Sequence, residues 1–172
     1  WPSIRDEWNR IGTGRVDHGV KVEARRQLLR WSQSGRFQLD AMDELVDWLQ
    51  TQIPGDENVD RQIIMGDRYT NEARRAAFER QLDVAKAWPA DYWIEFASLS
   101  LLPGGDIERV ALAIETARER AQSRDQNLAL AAIAEKAGRF GLAADVLSSL
   151  QSSAEPEEWL SLGLRRVKCH LQ

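Results

Sequence analysis

One cysteine, Cys169, stands in 172 residues, which excludes an intrachain disulfide framework and any Cys-rich zinc module. Histidine, the usual general base at neutral pH, occurs only at His18 and His170, far apart and in no recognisable catalytic word. Cys169 and His170 are neighbours, so on a helix their side chains diverge by about 100° and do not form a dyad. No His-x-x-x-His, Glu-x-x-His or Cys-x-x-Cys spacing is present, so nothing here calls for a metal. No uncharged apolar run approaches the roughly 20 residues that span a bilayer. There are fewer bases than acids, 23 against 27, and the net charge of -4 argues against generic polyanion binding. Period-two strand patterns and Asn-Gly hairpin signals are missing as well. The chain opens on Trp1-Pro2 with neither an initiator Met nor a signal segment, so the expectation is an excised or processed fragment.

What is present favours helix. Ala and Leu dominate over the β-branched residues, and small or straight-chain side chains lose little rotamer freedom in a helix. Met42, Leu45, Val46, Leu49 and Ile53 form one helical stripe, with Asp40 placed to cap it and Pro54-Gly55 to stop it. After Thr70-Asn71, a second stripe runs through Ala73, Ala76, Ala77, Leu82, Ala85 and Trp88 to Pro89. Tyr92, Trp93, Phe96, Ala97 and Leu101 follow Asp91; Asp106 opens a helix with Ile107, Val110, Ala111, Ile114 and Ala117. Leu128, Ala131 and Ala132 lead to Gly138, and Leu142, Val146, Leu147 and Leu150 come after it. Pro156 introduces a last helix with Trp159, Leu162 and Val167.

Punctuation suggests an order for these helices. Gly35, Gly66, Gly105 and Gly138 recur at about 34 residues, each between two helical stretches, where a short turn needs a left-handed backbone. Gly35-Arg36-Phe37-Gln38-Leu39-Asp40-Ala41 echoes Gly138-Arg139-Phe140-Gly141-Leu142-Ala143-Ala144. Pro54, Pro89 and Pro156 stand between the units and stop each pair from running on. A helix pair plus proline at this period predicts a helical repeat array.

At these residues the chain resembles the tetratricopeptide repeats. Trp159-Leu160-Ser161-Leu162-Gly163 matches the family's first-helix opening, and Leu130-Ala131 and Phe96-Ala97 stand at the matching places one and two units earlier. Trp93 matches the bulky opening residue, and Ala117 and Ala143 match small second-helix positions. Asn127 departs from the pattern, as do Leu28 and Val59 where small residues belong, so the likeness covers 90–172 and thins over 15–89. It implies an all-α, right-handed solenoid of about four helical hairpins, with units 15–54, 55–89, 90–123 and 124–155 in one helical-repeat domain over 1–172. A terminal helix, 156–172, would cover one open end.

The function this resemblance implies is a non-catalytic adaptor or scaffold that holds a peptide or partner helix in a concave groove, without a cofactor. Candidate contacts are Tyr92, Glu95, Gln126 and Asn127, polar or amphipathic within apolar stretches, and Arg165 and Arg166 on the last helix. The family's basic clamp for C-terminal carboxylates is not evident, because 90–102 holds no Lys or Arg. A second reading is a helical nucleic-acid binder using the Arg25, Arg26, Arg30 and Arg74, Arg75, Arg80 faces beside Trp31 or Tyr69. Interleaved Glu23, Glu72 and Glu79 disfavour it, since ion pairs on solvated faces explain the same pattern. A third is an accessory helical domain of an enzyme. Gly12-Thr13-Gly14 and Gly104-Gly105 read as turns rather than phosphate loops, and Asp43/Glu44 and Glu157/Glu158 as helix-start charges. Trp8, Trp48 and Trp93 lie on apolar stripes and are expected in the core. The expected compartment is the cytoplasm, the alternative being a domain of an anchored or exported protein.

Overall fold

The computed structural model describes residues 6, 10–11, 16–34, 42–152 and 155–172, and among these every regular element is helical. Several expected features lie outside the described residues: the Gly35 hinge and its echoing segment, the Asp40 cap, the Gly12-Thr13-Gly14 turn and Trp8. No described helix is long and apolar enough to cross a membrane. The chain divides into two compact units at Tyr69 and Thr70, a boundary that falls inside the expected unit 55–89.

In the first unit α1 (His18–Gln33), α2 (Met42–Gln52) and α3 (Glu57–Met65) pack on one another. Asp17 opens α1 by accepting the Gly19 amide at 2.8 Å. Leu28 and Leu29 from α1, Val46 and Leu49 from α2, and Val59, Ile63 and Ile64 from α3 close the core. The start of α3 is tied to α1 by one carboxylate. Asp56 accepts the Asn58 and Val59 amides at 3.0 and 3.3 Å and also receives the Arg26 guanidinium at 2.6 Å. Gln33 adds a bond from its Nε2 to the Asn58 carbonyl, 2.8 Å.

The second unit begins with α4 (Asn71–Arg80), capped by the Thr70 hydroxyl accepting the Ala73 amide at 3.2 Å. The stripe through 73–88 predicts one continuous helix, but the chain breaks at Gln81 into α4 and a single turn, α5 (Leu82–Ala85). Packing explains the break. In an unbroken helix, Phe78 and Trp88 would stand about 15 Å apart along the axis. Here their rings meet edge to face at 5.7 Å. Phe78 also stacks on Phe96 at 4.1 Å and meets Trp93 edge-on at 5.0 Å. The Trp93 indole N–H donates to the Ala85 carbonyl at 2.9 Å, so the buried polar atom of that ring is satisfied.

Helices α6 (Ala90–Ser100) and α7 (Ile107–Arg120) pack closely, as do α8 (Arg124–Lys136) and α9 (Phe140–Ser152). Contacts also join α4 to α6, α6 to α8, α7 to α8, and α9 to α10 (Pro156–His170). Ala97 and Ala131, fully buried, let neighbouring helices approach. Asp106 caps α7 through the Glu108 amide at 2.9 Å, and Ser123 and Gln126 form a reciprocal capping box on α8.

Two corrections concern turns and faces. Of the expected hinge glycines that are described, only Gly138 is left-handed, at φ 68°. The α6–α7 turn places that conformation at Gly104, φ 78°, while Gly105 is needed because a Cβ there would overlap the Ser100 backbone. Gly66 ends α3 at φ -89°. The second correction is in α10, where Trp159, Leu162 and Val167 do not share one buried face. Leu162 and Cys169 point inward, whereas Trp159 and Val167 are exposed. Five residues from Leu162 to Val167 turn the helix about 140°.

Candidate functional site

Within the second unit, α4, α6 and α8 leave a recess of about 400 Å³ lined by Arg74, Glu95, Ser98, Leu102, Ile133 and Lys136, among others. A neighbouring recess of about 420 Å³ is lined by Glu135, Lys136, Phe140, Lys168 and Cys169 with Gln172. Lys136 belongs to both, so the two form one run across α4, α6, α8 and α10.

The charges along this run are arranged unevenly. Glu95 is held by Arg74 at 2.7 Å, an Arg that is almost wholly buried. Glu135 is held by Arg165, whose Nη2 reaches both carboxylate oxygens at 3.1 and 3.2 Å. Arg75 spends its guanidinium on the Leu99 and Pro103 carbonyls at 3.0 and 3.3 Å. Lys136 and Lys168, by contrast, are exposed and make no ion pair among the described residues. The acids of the run are thus neutralised internally and two ammonium groups remain. Beside them, burial pushes the Cys169 thiol up from its ordinary range, and the Glu135 carboxylate, 3.8 Å from Sγ, adds to the effect. A thiol so placed stays protonated at neutral pH and is a poor nucleophile.

The sequence-chosen contacts fall in separate places. Glu95 lines the first recess, already paired, and Arg165 abuts the second through Glu135. Tyr92 lies against Trp88, ring centres 5.1 Å apart, and is half-buried. Gln126 accepts the Ser123 and Gln122 amides and donates to Asp91 at 2.9 Å, which places it at a different recess, beside Trp88 and Arg120. Asn127 donates to the Ser123 carbonyl at 2.9 Å, and Arg166 reaches the Ser148 hydroxyl at 3.4 Å. The structure brings only Glu95 and Arg165 to the run of two recesses. Lys136 and Lys168 were missed; their signal was scarcity, since the chain has four Lys among 23 basic residues.

The Arg-rich faces are engaged within the chain. Arg25 lies over the Trp48 ring at 4.0 Å, and Arg26 pairs with Asp56 and Glu23. Trp93 is core as expected, whereas Trp48 is half-buried between that guanidinium and His18, whose ring lies 6.2 Å away. Arg68 gathers Asp47 at 2.6 Å, Asp43 at 3.1 Å and the Tyr69 hydroxyl into one knot. Its hydrogen bonds hold the Asp47 carboxyl below the usual carboxylate range and raise the guanidinium itself, while burial raises the Tyr69 phenol. Among the described residues no group of three His, Cys, Asp or Glu side chains could hold a metal ion. Comparison with known proteins found no matching family model, no matching curated protein and no matching solved structure.

Proposed function

We propose that residues 70–172 are a tetratricopeptide-like stack of hairpins that works as a protein-interaction module and binds an extended acidic peptide along α4, α6, α8 and α10. In this reading α6 with α7 and α8 with α9 are successive right-handed hairpins, and α10 is the terminal helix that covers the open end. Contacts that recur at one unit's spacing support it. Arg120 donates to the Lys86 carbonyl, Arg124 pairs with Glu158 and Cys169 meets Glu135, each 34 residues apart, and Gln126 meets Asp91 at 35. Within 70–172 the two left-handed glycines, Gly104 and Gly138, stand 34 residues apart at the α6–α7 and α8–α9 turns.

The observation that carries the binding role is the shared position of Lys136 in two adjoining recesses whose acids are already neutralised. Side chains such as Leu102, Ile133 and Phe140 offer apolar contact, and the two ammonium groups select carboxylates. Selection from a displayed random-peptide library, followed by titration of the selected peptides, tests this. Acidic peptides should emerge, and Lys136→Glu with Lys168→Glu should weaken them at least tenfold. Peptides without an acidic bias, or binding that ignores both reversals, would remove the proposal. An oligonucleotide titration with steep salt dependence would replace it with the nucleic-acid reading.

A further inference from the structure

The last helix is amphipathic twice over. Leu162 and Cys169 face the rest of the unit, and on the opposite side Leu160, Leu164, Val167 and Leu171 are 62%, 63%, 50% and 81% exposed. Trp159, 54% exposed, lies on the flank between the two faces, about 100° from Leu160, and is not part of the stripe. Scattered exposed Leu need no explanation, but these four succeed each other at four, three and four residues, the spacing of a two-helix seam.

We propose that this outer face is where a second copy of the chain docks, the two α10 helices packing antiparallel about a twofold axis. Three observations fix the occupant. The stripe is symmetric about the midpoint between Arg165 and Arg166, so antiparallel pairing sets Leu160 against Leu171 of the second copy and Leu164 against its Val167. An isologous interface needs this kind of self-complementarity. Area agrees: the four side chains expose roughly 500 Å² per copy, so pairing buries up to about 1,000 Å², the threshold of a specific interface. Charge selects the orientation. The antiparallel register opposes the helix dipoles and brings Lys168 level with the uncharged Ser161 and Gly163.

The interface is small, so the expected dimer is reversible, with a dissociation constant on the order of micromolar. Sedimentation velocity of the full 172-residue chain, from low to high micromolar concentration, should show mass moving from monomer to dimer. Leu164→Glu, and separately Leu160→Gln, should abolish the shift while leaving helicity and thermal unfolding of the monomer unchanged, because both side chains already face solvent. Orientation is read by mixing Leu160→Cys and Leu171→Cys chains, with Cys169 replaced by Ala, and treating them with a short bismaleimide. Cross-links should join unlike chains. A chain that stays monomeric throughout, a dimer that survives both outer-face substitutions, or cross-links between like chains would each overturn the proposal.

Discussion

Phe78 provides the sharpest test of how the second unit holds together. Its ring is fully buried, stacked on Phe96 and meeting Trp88 and Trp93 edge-on, so α6 and the turn at Trp88 both converge on one side chain. Phe78→Ala removes the transfer energy of the ring and leaves a cavity that Trp88 and Trp93 are too rigid to fill, a cost of about 3–5 kcal/mol. The unit spans little more than a hundred residues and has about 5–15 kcal/mol in total, so this substitution takes a large share. At roughly 4–8 °C per kcal/mol, Tm should fall by at least about 12 °C. Phe78→Leu keeps much of the volume and loses the ring geometry, and should cost about 1–2 kcal/mol. Urea unfolding followed by tryptophan fluorescence measures both, since two of the indoles touch the altered site. If Phe78→Ala costs under about 1 kcal/mol, or as little as Phe78→Leu, the aromatic cluster is not what fixes the break at Gln81 and the reasoning fails.

Other expectations follow from particular groups. Gly138→Ala forces a Cβ into a left-handed turn at φ 68° and should cost about 1–2 kcal/mol in urea unfolding. Gly55→Ala, also left-handed, should cost about as much in the first unit. The Asp47 carboxyl is lowered by its Arg68 bonds, so its contribution is present above the ordinary carboxylate pKa of about 4 and is lost as pH falls through the lower folded value. Acid titration of Arg68→Met should therefore show less destabilisation between neutral pH and low pH than the parent, and an identical acid profile would refute the pairing. Cys169, buried and raised, should react with a thiol reagent slowly at neutral pH and at least tenfold faster after unfolding; equal rates would contradict the packing of α10.

The helical content could be read from spacing, because amphipathic period and cap residues are local properties. Thr70 and Asp106 cap where their chemistry says they should. The break at Gln81 could not be read, since Ala85 and Trp88 continue the stripe and only a long-range ring contact pulls them away. Likewise Trp48 and Trp159 sit at core-like positions, yet the first lies under a guanidinium and the second in solvent, outcomes decided by what lies opposite. The candidate contacts fall in separate places for a related reason. Polarity within an apolar stretch marked Glu95 and Gln126, and a place on the last helix marked Arg165, but a polar side chain is often polar because a neighbour uses it. Lys136 and Lys168 differ in having no such neighbour, a property of three-dimensional placement.

Gln126 shows what such shared use demands of a sequence. For opening α8 alone, glutamate would serve as well, since either side chain can accept the amides of the turn. Its nitrogen, however, also reaches the carboxylate of Asp91 at the start of α6. Of the two, only the amide can accept on one side and donate on the other, so a single-atom exchange, nitrogen for oxygen, would set two anions face to face. The start of α8 and its grip on α6 are thus written in the same residue, and neither can be edited without rewriting the other.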